Sequence, residues 1–123
     1  MLSKRLEQVA SMVTKGNIIA DIGTDHGYVP IYLVEKGICP KAYAMDINQG
    51  PIESATKNIE NYGLSEKIQA IKSNGLEKLE PEKADTIIIA GMGGELIVNI
   101  LENGLAKLEN CSRPVKELVL SPH

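Results

Sequence analysis

The chain has 123 residues, a formal net charge of −3 and two cysteines, Cys39 and Cys111. That length suits one domain with a core of its own, and the absence of any Lys/Arg cluster argues against an autonomous nucleic-acid binder. The cysteines stand far apart and outside any C-x-x-C pattern, which argues against a disulfide scaffold and against zinc. No signal peptide or membrane-spanning run is visible from Met1 onward, so the cytoplasm is the expected location.

Leu2, Leu6, Val9 and Val13 recur at helical spacing, predicting a helix over Leu2 to Lys15 that stops at Gly16. Arg5 could touch a phosphate, but it is expected on the solvated face. The next stretch, IIADIGTDHGYVP from Ile18 to Pro30, organises the rest of the chain. Ile18, Ile19 and Ile22 suit a buried parallel strand, Gly23 and Gly27 permit a tight turn with close ligand approach, and Pro30 fits the first turn of a helix. The pattern is that of a first strand, ligand loop and first helix of a Rossmann-like domain. Dinucleotide and P-loop turns aim bare N–H groups at phosphate, and a carboxylate among them would repel it. Here Asp21 and Asp25 occupy the turn, which favours a cationic ligand. S-adenosylmethionine, with an ammonium and a sulfonium beside one carboxylate, suits it better than NAD or ATP. His26, with no second ligand nearby, reads as a hydrogen-bonding loop residue rather than a metal ligand, and no metal is expected.

A helix follows over Val29 to Lys36, ended by Gly37. A second strand, Ala42 to Met45, stops at Asp46, roughly 20 residues after the turn, the spacing at which an acid meets ribose hydroxyls in such folds. A helix cap or turn role explains an Asp there as well. Asp46 and its neighbour Ile47 are candidate cofactor contacts. Asn48 can cap the next helix, with Pro51 in its first turn and Ile52, Ala55, Ile59 and Tyr62 as its buried stripe before Gly63. Lys67 to Ile71 reads as a third strand. Asn74 and Gly75 follow it, either an adenine-binding loop or a plain Asn-Gly turn. The run DTIIIA, Asp85 to Ala90, should be the central fourth strand, running beside the first where strand order reverses, so that Gly91 and Met92 of GMGG line the ligand crevice. Glu95 to Asn103 forms a helix with Leu96, Ile97, Ile100 and Leu101 inward and Gly104 as terminator, and Lys116 to Leu120 is a fifth strand.

Five strands alternating with helices, the D-I-G-x-D-x-G turn, Asp46 and the glycine-rich exit of strand four are similar to a class I S-adenosylmethionine-dependent methyltransferase. Arg5-Leu6, DIGTDHGYVP, Asn74-Gly75-Leu76, IAGMGG and the closing LSP resemble the TrmK family of bacterial enzymes that methylate N1 of an adenine in the tRNA D-loop. The resemblance implies a mostly parallel sheet with helices on both faces, S-adenosylmethionine as cofactor and S-adenosylhomocysteine as product, and tRNA as partner. It also implies two further strands and a helical C-terminal domain beyond His123, so that tRNA is held mainly by parts outside this chain and an exposed edge of strand five favours self-association. The family usually has Asp where this chain has Asn74, an amide that still hydrogen-bonds adenine. Amino-methylating enzymes often carry N-P-P-Y after strand four; this chain does not. Asp25 is the candidate catalytic residue, stabilising the adenine as it becomes cationic, unless it only caps the helix near Tyr28. A non-catalytic cofactor-binding or regulatory domain, or a methyltransferase with another substrate, stays open.

Overall fold

A computed structural model describes residues 2–123; Met1 lies outside the described residues. Five strands form one sheet in the order β3-β2-β1-β4-β5, every neighbouring pair parallel. In chain order the elements are α1 (Lys4–Ser11), β1 (Ile19–Ile22), α2 (Tyr28–Glu35), β2 (Ala42–Asp46), α3 (Gln49–Asn61), β3 (Ile68–Lys72), β4 (Thr86–Met92), α4 (Gly94–Glu109) and β5 (Glu117–Pro122). A parallel sheet needs cover on both faces, which is why β1 is buried at all four positions and β4 begins as an unbroken apolar run.

Side chains alternate across the strands and divide the core in two. Ile19, Ile88 and Val119 point to the face packed by α1, α2 and α3, with Val9, Leu33 and Ile59 among its fillers. Ala20, Ile22, Ile87 and Ile89 point to the other face, closed by α4 and the segment after β3 through Ile97, Leu108, Leu76 and Leu79. No helix among the described residues is long and apolar enough to cross a membrane.

Four sequence expectations are corrected here. The first helix begins at Lys4, where Ser3 Oγ accepts from Leu6 N–H at 3.3 Å, and ends at Ser11 rather than Lys15. Its end is set from outside: the Thr14 N–H and hydroxyl donate to the Glu117 carboxylate at 2.8 and 2.9 Å, drawing the chain toward β5. Gly104 does not terminate α4, which runs on to Glu109. It is buried where the helix crosses the segment after β3, and a Cβ there would stand 2.6 Å from Leu76 Cβ, so its role is close approach. Leu96 and Tyr62, expected inward, are half exposed; each lies at a helix end where the supporting layer stops.

Candidate functional site

The turn between β1 and α2 reverses with three left-handed residues in five positions: Gly23 (φ +78), Asp25 (φ +60) and Gly27 (φ +78). Glycine takes that conformation freely, whereas an L-residue such as Asp25 is held there only by its surroundings. The surroundings are identifiable. Gly23 and Thr24 N–H donate to Met45 carbonyl at the end of β2, at 2.8 and 2.9 Å, and Asp25 N–H donates to Asp46 Oδ2 at 3.3 Å. A Cβ on Gly23 would meet the Met92 methyl, the mobile end of a flexible side chain, so it is the left-handed conformation that makes glycine the fitting residue there. Gly27 is the N-cap of α2 and has no side chain to offer, while the Asp25 carboxylate makes no bond to a helix N–H. The capping explanation of Asp25 therefore gives way: its side chain is mostly exposed, with His26 Nε2 at 3.7 Å as its charged neighbour.

This turn, the end of β2 and the exit of β4 enclose a cleft of about 360 Å³ at the carboxyl ends of the strands. It lies between β1 and β4, where strand order reverses, the place where open α/β sheets collect ligands. Asp21, Gly23, Asp25, Asp46, Gly91 and Met92 all line it. Gly91 sits at a register shift between β4 and β5 with φ +77, which opens the strand end toward the cleft. A roomier hollow of about 420 Å³ lies at the opposite ends of β2 and β3, against α3, far from the turn.

Asp46 is oriented in advance of any ligand, since its two carboxylate oxygens accept from Asp25 and Asn48 N–H and retain free lone pairs. Asp21 is only 5% exposed and has one hydrogen bond, from the Thr24 hydroxyl at 2.9 Å. Burial pushes its carboxyl up to about 7; the Thr24 bond pulls it down, and the neighbouring Asp46 charge raises it again. Two acids with so few partners disfavour an anion and favour a cation between them.

Other candidates fall elsewhere. Asn74 and Gly75 line a separate depression against α4, where a Cβ on Gly75 would stand 3.2 Å from Ile100. They are tied to the cleft indirectly, through Ser73 N–H donating to the Asp46 carbonyl. Ile47 follows Asp46 and is half exposed, outside the cleft lining. His26, by contrast, lines the cleft as well, and its Nδ1 meets Ser54 Oγ at 2.7 Å, fixing the turn on α3. Sequence reasoning missed Arg5, Thr24, Tyr28 and Asn48 as lining residues. Thr24, Tyr28 and Asn48 were findable by their adjacency to the motif; for Arg5 the helical period says nothing of what lies across from it, and the only signal was its place in the Arg5-Leu6 pair that carries the resemblance.

Comparison with known proteins agrees with this geometry. Residues 2–123 match the family model of a methyltransferase domain. The chain is 43% identical over 122 residues to tRNA (adenine(22)-N(1))-methyltransferase of Bacillus subtilis, covering 99% of this chain and 50% of that protein. Streptococcus pneumoniae Sp1610, solved in complex with S-adenosyl-L-methionine, is 51% identical with a TM-score of 0.92, over 99% of this chain and 56% of that one. M. capricolum TrmK, solved with S-adenosyl-homocysteine, is 48% identical with a TM-score of 0.79, over 84% of this chain and 47% of that one. The chain thus spans about half the length of these relatives. With a family match running from residue 2 to residue 123 and an acid-lined cleft at the switch point of a parallel sheet, the chain belongs to the methyltransferase-domain family.

Proposed function

We propose that residues 1–123 are the S-adenosylmethionine-binding domain of an enzyme that methylates N1 of an adenine in the tRNA D-loop. The observation that carries this reading is the cleft itself: three carboxylates, of Asp21, Asp25 and Asp46, around a glycine turn at the β1/β4 crossover. The donor set fits the cofactor's chemistry. Asp46 presents free lone pairs suited to ribose hydroxyls, Asp21 is a buried acid that a cation would suit, and Gly23 and Gly91 bring backbone to the cleft wall, while Gly27 belongs to the proposal as part of the same turn, its Cα packed against Ala55. Met92 bounds the space on the β4 side. Asn74, Gly75 and Ile47 belong to this proposal as contacts to the adenine end, reached once a ligand extends past Asp46 toward β3.

When bound, the cofactor supplies a methyl group on a sulfonium, already activated for transfer. The in-plane lone pair of adenine N1 attacks without first losing a proton, so no general base is required of the protein. Its tasks are alignment of the reacting atoms and stabilisation of the cation that develops on the adenine ring. Asp25, exposed at the mouth and free of any helix-capping duty, is the carboxylate placed for the second task. With a net charge of −3, the chain leaves most of the phosphate contacts to other parts of the protein. The outer edge of β5, where Leu118 and Leu120 are partly exposed, is a place for pairing with another chain. A tRNA substrate places the protein in the cytoplasm.

Calorimetric titration with S-adenosylhomocysteine and, separately, with NAD tests the cofactor class. Binding of the first and not the second is expected. Binding of NAD alone would replace the reading with that of an oxidoreductase, and cofactor binding by a full-length protein without methylation of tRNA would leave the non-catalytic alternative.

A further inference from the structure

The tripeptide Asn-Gly-Leu occurs at Asn74 to Leu76 and again at Asn103 to Leu105. The fold brings both to one depression between α4 and the segment after β3, yet treats their glycines in opposite ways. Gly104 lies inside α4, where its N–H belongs to the helical ladder, and it is buried against Leu76. Gly75 stands half-buried in a turn with φ +59, and among the described residues its N–H has no acceptor. The Asn74 side chain beside it is exposed. We propose that Asn74-Gly75 is a site of spontaneous deamidation, which turns the neutral amide of this turn into a carboxylate, and that Asn103-Gly104 is not.

The reaction needs only water. Gly75 N, on losing its proton to base, attacks Asn74 Cγ; the new C–N bond closes a succinimide ring as the bond from Cγ to the amide nitrogen breaks and ammonia leaves. Water then opens the ring at either carbonyl, giving aspartate or, with the main chain rerouted through Cγ, isoaspartate. Attack requires a backbone nitrogen that is not already donating and an approach that no side chain on the following residue obstructs. Gly75 meets both conditions. The nitrogen of Gly104 becomes available only when α4 opens locally. The isoaspartyl product lengthens the main chain inside a turn held by Ser73, whose Oγ donates to Gly75 carbonyl at 2.9 Å and accepts from Lys78 N–H at 3.1 Å. Ser73 N–H in turn donates to Asp46 carbonyl at 2.8 Å, so the change loosens the support behind the acid that ends β2. The modification stands on this geometry alone; its effect on a ligand rests on the cofactor reading above.

The test ages the wild-type chain folded, the same chain unfolded in guanidinium, and folded Asn74→Gln, all at mildly alkaline pH. Peptides are then mapped by mass and by chromatography that separates isoaspartate from aspartate. Unfolded, the shared tripeptide should lose its amide at comparable rates at both places. Folded, loss at Asn74 should continue while loss at Asn103 slows by roughly tenfold or more, the protection of a helical amide. Asn74→Gln should gain no acid at that position. A folded chain that keeps both amides while the unfolded one loses them overturns the proposal, and so does loss at Asn103 as fast as at Asn74. Titration with S-adenosylhomocysteine reads the consequence: aged wild type should bind more weakly than fresh, whereas aged and fresh Asn74→Gln should bind alike. Equal affinity of aged and fresh wild type overturns the effect on the ligand. A fresh chain that binds none overturns the cofactor reading, while the peptide map still decides the modification.

Discussion

Asp21 and Asp85 are both buried acids beside the central strands, yet the two ends of the sheet treat them in opposite ways. At the amino end, Asp85 is 1% exposed and fully served: Arg113 donates to both its oxygens at 2.9 Å, Ile18 N–H donates at 2.9 Å, and Lys116 Nζ stands 3.9 Å away. Beside it, Glu117 accepts from Thr14, Asn17 and Thr86, and although burial alone would raise its carboxyl, these bonds hold it below the usual range. At the carboxyl end, Asp21 has one hydroxyl and a like-charged neighbour. The first arrangement ties strands together. The second leaves Asp21 favouring its protonated form until a cation arrives, an arrangement frequent at functional sites.

The largest expected effect concerns the exposed acid of the cleft, Asp25. In an active enzyme carrying this domain, Asp25→Asn should lower turnover about 10²–10³-fold with cofactor affinity unchanged, the usual loss for a preorganised electrostatic contact. Because Asp25 caps no helix, near-normal turnover in that variant would remove the catalytic assignment outright. At the other end of the sheet, Asp85→Ala should cost stability and leave cofactor affinity alone. Breaking a buried pair is expensive, but Arg113 is half exposed and regains water, so about 2–3 kcal/mol in urea unfolding is expected. A loss of cofactor affinity as large as the loss of stability would show that the two ends are not independent.

Asp46→Ala should weaken S-adenosylhomocysteine binding by about 1.5–3 kcal/mol, the range for hydrogen bonds to a charged group. Some of that comes from freeing Asp25 N–H and hence the turn, so Asp46→Asn, which keeps an acceptor, should lose less. If the two variants bind equally well, Asp46 positions the loop and does not hold the ligand.

The subtlest effect is a pH slope. The Asp21 carboxyl has its ordinary value near 3.8 in the unfolded chain and about 7 in the folded one, so between those values the folded state holds the extra proton. Stability from this group is complete below about pH 4 and is lost as pH rises toward 7, with a limiting slope of about 1.4 kcal/mol per pH unit. Glu117 acts with the opposite sign, its contribution being lost only as pH falls through the acid range. Denaturation midpoints of the ligand-free protein across pH 4 to 8 should show the falling slope, which Asp21→Asn removes and which bound cofactor flattens. A wild-type profile that rises through this range would mean that Asp21 is ionised in the empty cleft.

The local pattern of this chain settles much of its architecture. Strands that must be buried on both faces need continuous apolar runs such as DTIIIA, a glycine turn with an embedded acid has few other uses, and the distance from that turn to Asp46 follows from one βα unit, so strands, turn and the acids at their ends were legible from residues alone. What the line of residues could not carry is what stands opposite. Leu6 and Val9 announce a helix, but only α1 lying across the β4 exit brings Arg5 to Gly91. Gly104 looks like a helix stop because glycine ends helices, and only the crossing at Leu76 makes it an interior contact. Thr14, Asn17, Thr86 and Glu117 are unremarkable polar residues until parallel pairing of β1, β4 and β5 sets their side chains at one end of the sheet. Secondary structure follows from spacing along the chain, whereas burial, pairing and charge depend on contacts between residues far apart in it, and those exist only once the sheet has formed.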